Sequence, residues 1–135
     1  MKTALALTCI LVSASCAVGA GSTVPYEVDG AAFEGYYISP SEDAPLVLLV
    51  HDWDGLTEYE VQRAGMLAEL GYAVFAADLF GAGVRPGSME ERQRLTGNLY
   101  QNRDEMRSLL LGALEAARAQ GGDTSRTVAI GYCFG

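Results

Sequence analysis

The sequence predicts an α/β protein built on a doubly wound, mostly parallel sheet. Three segments of strand length, at 46–50, 72–77 and 127–131, are largely apolar and lack the polar alternation of a half-exposed strand. Such segments indicate strands that are covered on both faces, as in a parallel sheet. The stretches between them carry helical periodicity and capping signals, and strands that alternate with helices are typical of this fold class.

Two shorter strands are expected ahead of these three. The segments 26–30 and 33–38 predict a pair of strands that meet at Asp29-Gly30, because this dipeptide is favoured in tight hairpin turns. A polar loop with two prolines, at 39–45, then leads into the first apolar strand.

Capping signals predict three helices. Thr57 and Glu60 have the spacing of a capping box, and the helix that they open is expected to end at Gly71. The apolar side of this first helix consists of Val61, Ala64, Leu67 and Ala68.

The second and third helices are expected at about 89–100 and 103–120. Ser88 with its glutamate three residues later opens the second, and Asn102 carries the same signal for the third. The core side of the third helix consists of Met106, Leu109, Leu110, Ala113, Leu114 and Ala117. We find no internal repeat and no linker to a second domain.

Composition and charge exclude several classes of protein. The 135-residue chain is half hydrophobic, which fits one compact domain and argues against disorder. Its 17 acidic and 9 basic side chains give a formal charge of −8, so a basic surface for binding nucleic acid is excluded. One histidine and three cysteines supply no ligand set for a structural zinc ion, and we expect neither a metal nor a cofactor.

The first twenty residues are interpreted as a secretory signal peptide. Residues 4–20 are apolar or small without a charge, and 18–20 offer a cleavage site before Gly21. The mature protein, 21–135, is therefore expected to be exported and to have no stable membrane association. The alternatives are an uncleaved membrane anchor, for which the apolar stretch is short, and a lipid-modified Cys16.

Residues 131–135, Gly-Tyr-Cys-Phe-Gly, directly follow a predicted strand. With serine at its centre this pattern is the nucleophile elbow, a tight strand-to-helix turn that lifts the nucleophile above the sheet. Once the leader is removed, Cys133 is the only cysteine and cannot form an internal disulfide. Cys133 is therefore the candidate nucleophile. The alternative is a buried structural cysteine at the end of a strand.

A second candidate segment, 51–55, follows the first apolar strand. In an α/β hydrolase this loop supplies one backbone N–H of the oxyanion hole, and the residue after the nucleophile supplies the other. That assignment gives the hole to the amides of Trp53 and Phe134. We expect His51 to pack and hydrogen-bond locally rather than to act as the base, since the histidine of this fold follows the nucleophile in the chain.

Three segments, 45–55 (PLVLLVHDWDG), 68–80 (AELGYAVFAADLF) and 131–135 (GYCFG), together resemble the dienelactone hydrolase family. The resemblance runs from about residue 24 to the end of the chain. It implies an α/β-hydrolase fold and a Cys-His-Asp triad that attacks small-molecule lactones or related esters, with Cys133 as the nucleophile.

The same resemblance implies roles for three further residues. Asp52 lies where the family often has a glutamate that interacts with the resting thiol, although aspartate is one methylene shorter. Asp78 matches an aspartate that we interpret as structural. Arg85 lies in the loop where family members can carry an arginine that binds the substrate carboxylate.

No candidate for the acid or the histidine of the triad follows Cys133 in this sequence. We therefore expect the chain to be the N-terminal half or more of a longer enzyme, truncated at the elbow, and nearly inert by itself. Other functions remain open: a general esterase of this fold, an exported acidic binding module that uses Cys133 for attachment, and a thiol redox protein, although C-x-x-C is absent.

Overall fold

The chain forms a five-stranded sheet with helices on both faces. The computed structural model describes residues 19–135, so the predicted signal peptide lies outside the described residues except for its last two positions. The strands and helices, in chain order, are β1 (Ser22–Val28), β2 (Ala31–Ile38), β3 (Pro45–Val50), α1 (Glu58–Glu69), β4 (Ala73–Ala77), α2 (Met89–Gln101), α3 (Arg103–Ala119) and β5 (Asp123–Gly131).

The strand order in the sheet is β1-β2-β4-β3-β5. Strands β3, β4 and β5 are parallel, whereas β1 pairs with β2, and β2 with β4, in the antiparallel sense. The sheet described by residues 19–135 is thus an α/β sheet of mixed direction, in which a parallel centre is extended by an antiparallel hairpin. The predicted Asp-Gly turn joins the hairpin, with positive φ at Asp29 (53°) and Gly30 (80°).

Side chains of the central strands alternate between two apolar cores. Leu46, Leu48 and Val50 of β3 face the core under α2 and α3, while Val47 and Leu49 face the core under α1. Burial on both faces explains why β3 and β4 are continuous apolar segments in the sequence. The helices on opposite faces make the sheet doubly wound, as predicted.

Two of the three capping predictions are confirmed. Capping boxes close the N-termini of α1, through Thr57 and Glu60, and of α2, through Ser88. The Asn102 prediction is wrong: its side-chain amide donates to the Asn98 carbonyl at 2.9 Å, so the side chain does not cap α3. No helix within residues 19–135 is long and apolar enough to cross a membrane.

Strand β5 is longer than predicted and lies at one edge of the described sheet. It begins at Asp123 rather than at residue 127, and an irregularity in the register interrupts its pairing with β3 after Pro45. Val128 is 58% exposed on this strand, in contrast to the fully covered β3. Strand β5 ends at Gly131, level with Val50 of β3, and so brings the segments after both strands to the same end of the sheet.

Candidate active site

The segment after β5 is a tight turn with Cys133 at its centre. Cys133 has a φ of +53° and its side chain is exposed, and the Gly135 N–H donates to the Tyr132 carbonyl at 2.9 Å across the turn. A non-glycine residue in the left-handed region is uncommon and strained, and such residues concentrate at functional sites. The strand and the strained central residue are those that a nucleophile elbow requires.

The two glycines that flank the turn have no room for a side chain. A Cβ on Gly131 would lie 2.3 Å from the Gly135 carbonyl carbon, and a Cβ on Gly135 would lie 2.8 Å from the Val50 carbonyl oxygen. The obstacle to Gly131 is backbone, which cannot rotate away, and the obstacle to Gly135 is both the backbone oxygen and the Cβ and Cγ1 atoms of Val50. The turn therefore presses against the end of β3, and this is the physical reason for the Gly-x-Cys-x-Gly pattern.

Side chains from two helices hold the residues on either side of Cys133. The Tyr132 hydroxyl accepts a hydrogen bond from Arg63 Nε of α1 at 2.9 Å. On the other side, Phe134 is buried and its carbonyl accepts a hydrogen bond from the Tyr100 hydroxyl of α2 at 3.3 Å. These contacts maintain the strained backbone of Cys133, because the surrounding structure fixes both neighbours.

His51 is fully buried at the end of β3 and both of its ring nitrogens have partners. Nε2 accepts a hydrogen bond from the Leu79 N–H at 3.2 Å, which requires Nδ1 to carry the proton and to donate it to the Asp52 carbonyl oxygen. Burial lowers the pKa of His51, so the ring is held neutral. This local role matches the prediction from sequence.

Trp53 lies in the loop after β3. Its side chain is half-buried and lies beneath Arg92 of α2. The guanidinium carbon of Arg92 lies 5.4 Å from the centroid of the indole ring. Within residues 19–135, neither the Trp53 nor the Phe134 N–H donates to a backbone carbonyl. Both amides predicted for the oxyanion hole follow paired strands, β3 and β5, at the same end of the sheet.

Asp52 and Asp54 form a pair of interacting carboxyl groups in the same loop. The Asp54 N–H donates to Asp52 Oδ1 at 2.9 Å. A side-chain hydrogen bond to Asp52, together with burial and the charges of Asp52 and Glu60, raises the pKa of Asp54 to about 6. Burial acts to raise the pKa of Asp52 as well, but the hydrogen bonds from Asp54 outweigh it and hold that pKa below its ordinary value.

No hydrogen bond joins Asp52 to Cys133 in the part of the chain that the structure describes. The Asp52 carboxylate instead accepts a hydrogen bond from the Asp54 N–H within its own loop.

Asp78 is fully buried and holds backbone together. Its Oδ1 accepts from the N–H groups of Phe80 and Gly81 at 3.0 and 3.2 Å, and its Oδ2 accepts from the Glu34 N–H at 3.2 Å. The side chain ties the hairpin to the segment after β4, which is the structural role that we expected.

Arg85 is exposed in the loop between β4 and α2. Its Nη1 donates to the neighbouring Val84 carbonyl at 2.8 Å. A Cβ on Gly55, which has a φ of +87°, would lie 3.3 Å from Arg85 Cδ. The structure therefore places the stem of Arg85 next to Gly55, in the segment 51–57 between β3 and α1, which we call the Trp53 loop.

Three residues that contact the turn or the Trp53 loop had no signal in the sequence: Arg63, Arg92 and Tyr100. Each lies on a helix far along the chain from its partner, so that only the packing of the helix reveals the contact. Among residues 19–135, no group of three or more histidine, cysteine or acidic side chains is arranged to hold a metal ion.

A doubly wound α/β sheet with an exposed cysteine in a tight turn after a strand is the arrangement of the α/β-hydrolase class. The model of the dienelactone hydrolase family matches residues 33–135, and the chain belongs to that family. A search of curated proteins gave no significant match.

Solved structures agree with this assignment. One named m3DLH is 32% identical over 86% of this chain, with a TM-score of 0.80. A dienelactone hydrolase-like promiscuous phosphotriesterase from metagenomic libraries is 28% identical over 86% of the chain, with a TM-score of 0.77. A cold-adapted esterase from an Arctic intertidal metagenomic library is 28% identical over 84% of the chain, with a TM-score of 0.61. The chain spans 50%, 50% and 49% of these three proteins, respectively.

Proposed function

We propose that the whole protein hydrolyses small carboxylic esters or lactones with Cys133 as the nucleophile. The observation that carries the proposal is the strained, exposed position of Cys133 between two glycines that admit no side chain. The name of the Arctic relative, an esterase, supports the same class of substrate.

In the proposed mechanism, the Cys133 thiolate attacks the carbonyl carbon of the substrate. The Trp53 and Phe134 amides donate to the oxygen that becomes negative, and the carbon–oxygen ester bond breaks to leave a thioester. The departing alkoxide takes up the proton that the Cys133 thiol lost when it became the thiolate. Water then hydrolyses the thioester, which releases the carboxylic acid and restores the thiol.

The histidine of a triad would come from elsewhere in the whole protein. The sequence contains one histidine, and both nitrogens of that buried ring are already bonded to backbone groups. We therefore propose that residues 1–135 alone turn over slowly, since loss of a triad base costs on the order of 10³-fold in rate.

The test measures hydrolysis of p-nitrophenyl acetate and of a simple δ-lactone by the whole protein. We expect Cys133→Ala to lower kcat/KM by about 10³-fold or more while the fold is retained. The control is Ser22→Ala on β1, at the opposite edge of the sheet, which should leave the rate unchanged. A Cys133→Ala protein with full activity contradicts the proposal.

Phosphate triesters are a second substrate class to assay. One relative is described as a promiscuous phosphotriesterase, and that relative has the same fold over this chain. We expect any phosphotriesterase activity to depend on Cys133 as well. Activity that survives Cys133→Ala would place that reaction at a different site.

We also propose that the protein is exported and that the leader is removed before Gly21. The uncharged apolar segment at 4–20 supports this proposal. N-terminal sequencing of the protein recovered from its producing cells should begin at Gly21. An N-terminus at Met1 on a membrane-bound protein would favour the uncleaved anchor.

A further inference from the structure

We infer that Arg92 is a positioning residue that fixes the Trp53 loop for oxyanion binding. The inference rests on the proposed function, because it concerns the amide that the mechanism assigns to Trp53. Arg92 lies on α2 and contacts neither the candidate nucleophile nor its turn in the described residues.

Arg92 makes two contacts, one with the Trp53 loop and one with the segment after β4. Its guanidinium lies over the Trp53 indole, with 5.4 Å from the guanidinium carbon to the ring centroid. Its Nε donates to the Pro86 carbonyl at 3.2 Å. One planar side chain thus joins the segment after β3 to the segment after β4, and α2 serves as the rigid support.

Within the Trp53 loop, Asp52 Oδ1 accepts from the Asp54 N–H and the indole packs against the core, and Arg92 adds a connection to a helix. Gly55 has a φ of +87°, and Trp53 and its two aspartate neighbours are only half-buried. The loop is fixed at its beginning by buried His51 and at its end by the Thr57 cap of α1. Between these points, the stacked indole is the largest side chain by which the loop can be held.

Orientation of this loop matters for rate rather than for substrate binding. An oxyanion-hole amide acts on charge that develops in the transition state, so a small displacement lowers kcat more than it changes KM. A guanidinium suits the task because it is planar, always charged and able to stack on an aromatic face while it donates a hydrogen bond in its own plane.

The experiment uses the whole protein and three variants: Arg92→Ala, Arg92→Lys and the control Arg94→Ala. Arg94 is exposed on the same helix, two residues further on. Trp53 is the only tryptophan in this chain, so its emission and its quenching by acrylamide can be assigned to the loop wherever the rest of the protein lacks tryptophan or has it replaced by phenylalanine.

We expect Arg92→Ala to lower kcat by about 10-fold to 100-fold with KM within about twofold. The Trp53 emission should shift to the red and quenching should increase. Arg92→Lys keeps a cation near the indole and should recover part of the loss in kcat and part of the change in Trp53 emission. Arg94→Ala should leave kcat and the emission at their parent values. If Arg92→Ala fails to fold, Arg92→Lys carries the test, with an intermediate loss in kcat expected.

Two results would overturn the inference. If the Trp53 emission and kcat stay at their parent values in Arg92→Ala, the loop does not depend on Arg92. If kcat and the thermal midpoint fall while the emission stays unchanged, Arg92 supports the fold and not the loop. Failure of the proposed function is distinguishable, because it appears as full activity in Cys133→Ala whatever the Arg92 variants do.

Discussion

The ring of buried His51 stacks on the ring of Phe134, the residue after the exposed cysteine, with centroids 5.8 Å apart. Phe80 packs against both rings, at 4.6 Å from His51 and 5.6 Å from Phe134. The one histidine of the sequence is therefore part of the support beneath the turn. Both of its ring nitrogens are bonded to backbone groups, so we predict a structural role for His51 rather than a role as a base.

Replacement of His51 should reduce stability. In His51→Phe an aromatic ring remains, but the buried Leu79 N–H and the partly buried Asp52 carbonyl lose their partners, and a fully buried unsatisfied group costs about 1–3 kcal/mol. We expect the free energy of unfolding in urea to fall by about 2–4 kcal/mol.

The same variant has a pH signature. Because burial lowers the pKa of His51, the unfolded chain binds a proton below about pH 6.5 that the folded chain does not, and stability falls on acidification. His51→Phe should lose this contribution. A variant with parent stability but no esterase activity would instead indicate a catalytic histidine.

Gly131→Ala should disrupt the turn. Its Cβ would meet the Gly135 backbone at 2.3 Å, and relief of that contact requires Cys133 to move. We expect a loss of about 1–3 kcal/mol in unfolding free energy together with loss of esterase activity. Gly65→Ala is the matched control: it lies in α1 with open space around its Cβ position and should stabilise the protein by up to about 1 kcal/mol. Equal stability of the two variants would show that the turn tolerates a side chain at residue 131.

The backbone strain at Cys133 should be measurable by comparing two variants that both lack the thiol. Cys133→Ala keeps a Cβ at a φ of +53°, whereas Cys133→Gly removes it. We expect the glycine variant to be more stable than the alanine variant by about 1 kcal/mol, even after the greater flexibility of glycine in the unfolded chain is included. Differential scanning calorimetry would measure the difference, and a more stable alanine variant would argue against a left-handed Cys133.

Asp54 should make the protein less stable as the pH rises from about 4 to 6. Its pKa is raised from 3.8 to about 6, chiefly by the hydrogen bond to Asp52, so in this interval the folded chain holds a proton that the unfolded chain has lost. The stabilisation that the protonated Asp54 side chain gives the folded state is complete below pH 3.8 and is lost as the pH rises through about 6. Asp54→Asn mimics the protonated side chain and should remove this dependence, with a higher thermal midpoint than the parent at pH 7. An unchanged pH profile would show that Asp54 titrates normally.

Local signals in the sequence were enough to predict most of the architecture. The hairpin turn at Asp29, the capping box of Thr57 and the buried strand at 46–50 each depend on a few adjacent residues, and each is found where it was expected. The mixed direction of the sheet and the early start of β5 depend on pairing between distant strands, for which those residues carry no local signal.

The candidate site also has parts that the local sequence predicts and parts that only the packing of distant elements reveals. The Gly-x-Cys-x-Gly turn was predictable because its backbone geometry demands those glycines in sequence. The supports from Arg63, Arg92 and Tyr100 were not, because a helix face alone does not show which loop will lie beneath it. Asn102 shows that a capping residue type alone does not predict a cap. Its side-chain amide donates to a carbonyl of α2, so the side chain does not cap α3.

The most direct test of the account is mass spectrometry of the acyl-enzyme. The protein is mixed with p-nitrophenyl acetate, quenched in acid within seconds and digested. We expect one acetyl group on the peptide that carries Cys133, formed together with one equivalent of p-nitrophenol and absent from Cys133→Ala. Release of p-nitrophenol at the parent rate by Cys133→Ala, or an acetyl group found only on other residues, would contradict the claim that this cysteine is the nucleophile.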